Sequence, residues 1–252
     1  MRMDNPVSGK HVFITGAGRG LGAAFAVVLA DMGAHVTIAG RNPENLYAIA
    51  ESIRLRSGKA PQTAIIDLSD ISQVTLYAKK CRDEKRPLDI LINNAATWLS
   101  GPLQSHDALA IANTITANVT GTLLLTRGML PLLQASPCAD IVNMLSISGM
   151  PNVPLQGASV AYIASKHGQT GMTEALRQEL RGQNIRITAI YPPNIEDISP
   201  LDAGAWNATR DMTSWLSNRD VVEATLASLS RARHITYASI ALETATSNFH
   251  GH

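Results

Sequence analysis

Short runs rich in β-branched and aliphatic residues alternate with longer amphipathic ones along nearly the whole chain. This alternation constrains the fold more than any single motif. "HVFIT" (11–15), "HVTIAG" (35–40), "TAIIDL" (63–68), "LDILINN" (88–94), "ADIVNMLS" (139–146), "IRITAIYPP" (185–193) and "HITYASI" (234–240) read as strands. Most are nearly continuous apolar runs, as strands buried on both faces are. Residues 21–33, 42–58, 69–84, about 106–135, 160–182 and 220–232 read as helices. Pro43 stands in the first turn of the second helix and Gly58 past its end, Ser69 or Asp70 caps the third, and Gly33 and Gly182 mark stops. Such a pattern predicts α/β architecture: a doubly wound parallel sheet of about seven strands with helices on both faces and right-handed crossovers. The 252 residues, 45% of them hydrophobic, suffice for one core and one domain over 1–252. Ligands of these sheets bind at the carboxyl ends of the strands, near the point where strand order reverses.

Composition narrows the partners. A formal net charge of +1 argues against nucleic acid or an anionic membrane. Cys81 and Cys138 form no CxxC pair and no metal-ligand spacing with the seven histidines, so free thiols in a reducing compartment and no metal are expected. "MRMDNPVSGK" has no apolar core of a signal peptide. The nearest approach to a membrane span, "LLLTRGMLPLL", is broken by Arg127, Gly128 and Pro131. The expectation is a soluble, cytoplasmic protein.

Directly after the first strand comes "TGAGRGLG". Glycines there let backbone approach a pyrophosphate with no Cβ in the way, and the helix that follows offers N–H groups and a positive dipole end to the anion. The spacing is GxxxGxG, from Gly16 to Gly20 to Gly22, with Gly18, Arg19 and Leu21 inside it. No lysine follows as in a P-loop, so a dinucleotide is favoured over a nucleoside triphosphate, and the fold becomes a single-domain Rossmann fold. At the end of the second strand "AGRN" places Arg41 where a carboxylate would bind a ribose 2′-OH, with no acid before Glu44. Arg41 and Arg19 together can clamp a 2′-phosphate, which favours NADP (NADPH) over NAD.

Further motifs follow in order: Asp67 after the third strand, "NNAA" (93–96), "NVTG" (118–121), Ser146 after the fifth strand, and "YIASK" (162–166). From about residue 9 to 240 the chain resembles the short-chain dehydrogenase/reductase family. The resemblance implies an NADP-dependent oxidoreductase acting on a carbonyl or secondary alcohol. It implies that Asp67 holds the adenine amino group with Leu68 beside it, and that Asn94, Ala95, Pro192 and Ile195 line the cofactor. Asn118 would kink its helix and order a water, completing a catalytic tetrad with Ser146, Tyr162 and Lys166. A homodimer or homotetramer is expected on the same ground. Three features depart from the family pattern: Ala96 replaces a glycine, Pro192-Pro193 replaces proline-glycine, and Asp197 stands where a threonine often contacts the nicotinamide carboxamide. The tail "HITYASIALETATSNFHGH" looks closer to the serine or 3-hydroxy-acid dehydrogenase branch.

Tyr162 and Lys166 share a helix face because four residues make about one turn. A free phenol has a pKa of about 10. A nearby ammonium and the positive nicotinamide ring would draw it toward neutrality, where acid–base catalysis is most effective. Tyr162 would then exchange a proton with the substrate oxygen, Ser146 would steady that oxygen, and Lys166 would bind the nicotinamide ribose. Ser148 competes with Ser146, and Ser159 is a remote alternative. The Ser146–Tyr162 interval is longer than the family's usual spacing, and 150–160 reads as a lengthened loop over the site. Segment 194–218 reads as a substrate lid, with Trp98, Trp206 and Trp215 as candidates for an apolar rim. His106, His167 and His234 have no partner pattern. Two other readings stay open: a non-redox NAD(P)-binding sensor or scaffold, and an epimerase or dehydratase on the same scaffold.

Overall fold

The structure, a computed structural model, describes residues 5–154 and 157–246. Readings that rest on 1–4, on 155–156 within the long loop, or on 247–252 of the tail lie outside the described residues. The main elements run β1 (His11–Thr15), α1 (Gly20–Asp31), β2 (His35–Gly40), α2 (Pro43–Ser57), β3 (Gln62–Ile65), α3 (Ile71–Asp83), β4 (Ile90–Asn93) and α4 (Ala108–Ile115). They continue α5 (Thr122–Ala135), β5 (Ala139–Met144), α6 (Val160–Glu179), β6 (Ile185–Tyr191), α7 (Ala203–Trp206), α8 (Asn218–Leu229) and β7 (Ser239–Ala241).

The strands form one seven-stranded sheet in the order β3-β2-β1-β4-β5-β6-β7, and every pairing is parallel. Strand order reverses between β1 and β4. The period of two sorts each strand between two cores. Val12 and Ile14 of β1 and Ile90 and Ile92 of β4 face a cluster with Phe25 and Leu29 of α1, Leu46 of α2 and Val221 of α8. Phe13 and Leu91 face the other side, with Val74 of α3 and Leu125, Met129 and Leu133 of α5. This is the expected doubly wound α/β fold.

Local chemistry sets the helix ends. Asn42 caps α2 by accepting from the Asn45 N–H, and Gly58 closes it in the left-handed region at φ 73°. Of the two candidate caps for α3, Asp70 is the one used, accepting from the Gln73 N–H. Helix α6 ends at Glu179, three residues short of the expected stop, because Leu180 closes it and Gly182 turns the chain beyond it. The last strand is also shorter than expected and lies later. Among the described residues β7 is an edge strand paired with β6, where Ser239–Ala241 lie opposite Ala189–Tyr191. The continuous helical run Ala108–Ala135 is long and apolar enough by composition to cross a membrane. Here its Leu125, Met129 and Leu133 are buried against the sheet.

Candidate active site

At the carboxyl ends of β1, β2, β3 and β4 lies a cavity of about 460 Å³. Its lining includes Gly16, Gly18, Arg19, Gly20, Leu21, Gly22, Arg41, Asp67, Leu68, Asn94, Ala95 and Asn118. Pro192 and Ile195 do not line it. Ile195 instead packs on the α1–α8 core, and the Pro192 carbonyl accepts from the Ile147 N–H at 3.1 Å.

The glycine turn is shaped for close approach. Gly16 and Gly20 have φ of +67° and +57°, a region that disfavours a side chain. A Cβ on Gly22 would lie 2.2 Å from the Gly16 carbonyl oxygen. The first turn of α1 has no acidic residue and no side-chain cap, so its N–H groups are available to an anion. Arg19 and Arg41 are both exposed, and neither guanidinium is hydrogen-bonded or ion-paired to another described residue. A dinucleotide phosphate therefore fits this cradle by its backbone, its dipole and two uncommitted cations.

Thr15 holds the cradle together and was not singled out from sequence. Its hydroxyl accepts from the N–H groups of Asn94 and Ala95, each at 3.0 Å, locking the "NNAA" turn to the end of β1. The Asn94 amide donates to the Thr15 carbonyl at 3.0 Å, so this side chain ties two loops together as well as lining the cavity. Ala96 is not among the residues with positive φ, so its methyl group is carried without strain. The Asp67 carboxylate accepts from the N–H and hydroxyl of Ser69, which fixes it at the cavity wall.

The cavity wall ends at Asn118, where the helical run changes winding. Residues Thr116–Gly121 form a π turn between α4 and α5, the expected kink. The fully buried Asn118 amide accepts from the Thr97 N–H at 2.7 Å and donates to the Thr97 carbonyl and the Ser165 hydroxyl. Its backbone carbonyl accepts from the Gln169 side chain at 2.7 Å, tying the turn to α6. Sequence reasoning missed Thr97, Ser165 and Gln169. The latter two recur on the Tyr162–Lys166 face of α6, which was the available signal.

Tyr162 is 8% exposed and Lys166 1%. The Lys166 ammonium lies 5.7 Å from the Tyr162 ring centroid and donates to the Met144 carbonyl at 3.3 Å. The Ser146 hydroxyl acts on the phenol, and its Oγ accepts from the Ser148 N–H at 3.1 Å. Ser159 caps α6 by accepting from the Tyr162 N–H. Ser148 and Ser159 thus have supporting positions, and of the three Ser146 is the one whose hydroxyl acts on the phenol.

The expected downward shift of the phenol is not what the protein's own groups produce. Burial pushes Tyr162 up to about 12, against a smaller opposing effect from the Ser146 hydrogen bond. Burial likewise pushes Lys166 down to about 7. Of the three tryptophans, Trp98 alone stacks on Tyr162, edge-on with ring centroids 4.5 Å apart. Trp206 packs on the α1–α8 core and Trp215 is exposed, so the three do not form one rim.

Fold and cavity together define a dinucleotide-binding oxidoreductase scaffold. The short chain dehydrogenase family profile matches residues 10–208, and the chain belongs to that family. An uncharacterized oxidoreductase of Staphylococcus saprophyticus is 30% identical over 90% of this chain and 93% of its own length. A 3-dehydrosphinganine reductase of Arabidopsis thaliana is 30% identical over 76% of this chain, but the match spans only 56% of that longer relative. A short chain dehydrogenase of Shigella flexneri complexed with NADP superposes with a TM-score of 0.79 at 26% identity, covering 94% of this chain and 98% of that one.

Proposed function

We propose that the protein is an NADP(H)-dependent oxidoreductase interconverting a carbonyl and a secondary alcohol. The observation that carries this reading is that Asn118 lines a glycine cradle with two uncommitted guanidiniums and donates to Ser165 on the same helix as the buried Tyr162–Lys166 pair, with Ser146 acting on the phenol. The NADP complex of the Shigella relative and the reductase name of the Arabidopsis relative support it.

When bound, the nicotinamide supplies or accepts the hydride at the substrate carbon. This chain's residues do the remainder. Arg19 and Arg41 would hold the 2′-phosphate, while Gly16, Gly18, Gly20, Leu21 and Gly22 leave room for the diphosphate. Asp67, Leu68, Asn94 and Ala95 would line the remaining length. Tyr162, held neutral by burial, is loaded to donate its phenolic proton to a carbonyl oxygen. Ser146 donates to the same oxygen as its negative charge grows. Lys166 titrates near neutrality, so it can return a proton toward the phenol, with Asn118 fixing the turn beside it. Trp98 gives the substrate an aromatic wall next to the phenol. Segment 194–218 serves as a lid, and a cytoplasmic homodimer or homotetramer completes the reading.

The test is oxidation of NADPH, followed by absorbance, against a panel of aldehydes and ketones. Turnover that is lost in Tyr162→Phe supports the assignment. NADPH binding with no turnover of any member, unchanged in Tyr162→Phe, would favour a sensor. A thermal-shift comparison separates the cofactors, since the tighter ligand stabilises more at equal concentration. Greater stabilisation by NADH would refute the roles of Arg19 and Arg41.

A further inference from the structure

One acidic side chain at the cradle has no place in the chemistry above. Asp197 lies after β6, and its Oδ1 accepts a 2.6 Å hydrogen bond from the Asn218 amide. Asn218 is itself buried at the start of α8, its N–H donating to the Glu196 carbonyl, and the Ser217–Asp220 capping box anchors that helix end. The carboxylate held in this way faces the glycine turn. A Cβ built on Gly20 would lie 3.8 Å from Oδ2 and 4.0 Å from Oδ1. Oδ2 accepts no hydrogen bond from a described residue.

Gly20 opens α1, whose own first turn carries no acid. The negative charge at the positive end of α1 therefore comes from Asp197, across space. A helix N-terminus offers only about half an elementary charge, and Asp197 already uses part of it.

We infer that Asp197 weakens the cradle's grip on the cofactor, setting its affinity by charge repulsion. The inference rests on the NADP(H) reading. A diphosphate held on the α1 N-terminus brings negative charge to a place that a carboxylate already faces, and the two repel through a partly solvated medium. Asn218 keeps the carboxylate from swinging clear. The residue is thus an affinity-determining member of the cofactor site, acting against binding where Arg19 and Arg41 act for it.

The experiment is isothermal titration of NADPH into the wild-type chain, Asp197→Asn and Asp197→Ser at two salt concentrations. Asp197 is exposed, so both variants should fold, which circular dichroism checks. The neutral variants are expected to bind NADPH about three- to tenfold tighter, and to lose affinity more steeply as salt rises, because the site becomes more positive. An unchanged or weaker Kd in the folded variants overturns the proposal, the weaker case meaning that the carboxylate accepts a hydrogen bond from the cofactor. A wild-type chain that binds no NADPH overturns the NADP(H) reading itself, and this proposal with it.

Discussion

At the scale of single residues, the site is a pair of groups whose charged forms are disfavoured by burial. Tyr162 is pushed up to about 12 and Lys166 down to about 7. Tyr162→Phe removes the proton donor and keeps the ring packed on Trp98. It should lower kcat for carbonyl reduction by about 10²- to 10⁴-fold while changing NADPH affinity far less, measured by steady-state kinetics and titration. Lys166 carries a second, sharper expectation. Its folded pKa lies below the usual lysine value, so between about pH 7 and 10.5 the unfolded chain binds more protons than the native one. The penalty of burying this amine is therefore complete below pH 7 and fades as pH rises to 10.5. Lys166→Met should raise Tm by several degrees at pH 6 and by progressively less toward pH 10, as followed by calorimetry. An equal gain at both pH values would mean that the amine is not desolvated.

At the scale of elements, two local devices build the site, and they differed in how readable they were. The glycine turn was legible because its requirement is purely local: a left-handed φ at Gly16 and Gly20 and no Cβ at Gly22 follow from a strand meeting a helix around an anion. Gly22→Ala puts a methyl into the Gly16 carbonyl and must displace the turn. It should abolish NADPH binding by titration while the protein still unfolds cooperatively. The π turn at Thr116–Gly121 was readable only as a kink at Asn118. Its partners Thr97 on the turn after β4 and Ser165 and Gln169 on α6 come from two other places in the chain, and only tertiary packing brings them together. Asn118→Ala leaves the Thr97 N–H and carbonyl without their partner, and should cost about 1–3 kcal/mol of stability by denaturant titration. The tryptophans failed as one rim for a similar reason. Sequence position put all three near the carboxyl edge, but Trp206 had an apolar core within reach and was taken up by it.

At the scale of the molecule, chemistry and structural support sit at opposite ends of the same sheet. The doubly wound parallel sheet was legible because nearly continuous apolar strands alternating with helices admit few arrangements, whereas the strand order and the division into two cores come from the structure. The buried charge network at the amino end was not legible, since nothing in the sequence pairs residues so far apart. Asp140, at the start of β5, accepts from Arg186 of β6 at 2.7 and 3.2 Å and from Arg233 at 2.9 Å. Arg186 is 7% exposed and also donates to the carbonyls of Leu229, Arg231 and Ile235, joining the end of α8 and the approach to β7 to the sheet. Removing one partner from such a network leaves a charge buried without compensation, which costs about 3–5 kcal/mol. Asp140→Ala should therefore lower the denaturant midpoint strongly. Because β5 and β6 carry the disturbance at their amino ends, and the cradle is formed at the carboxyl ends of β1 to β4, the folded fraction should bind NADPH with unchanged Kd. Loss of affinity in parallel with stability would mean that the sheet transmits strain along its strands and that the two ends do not behave as separate parts.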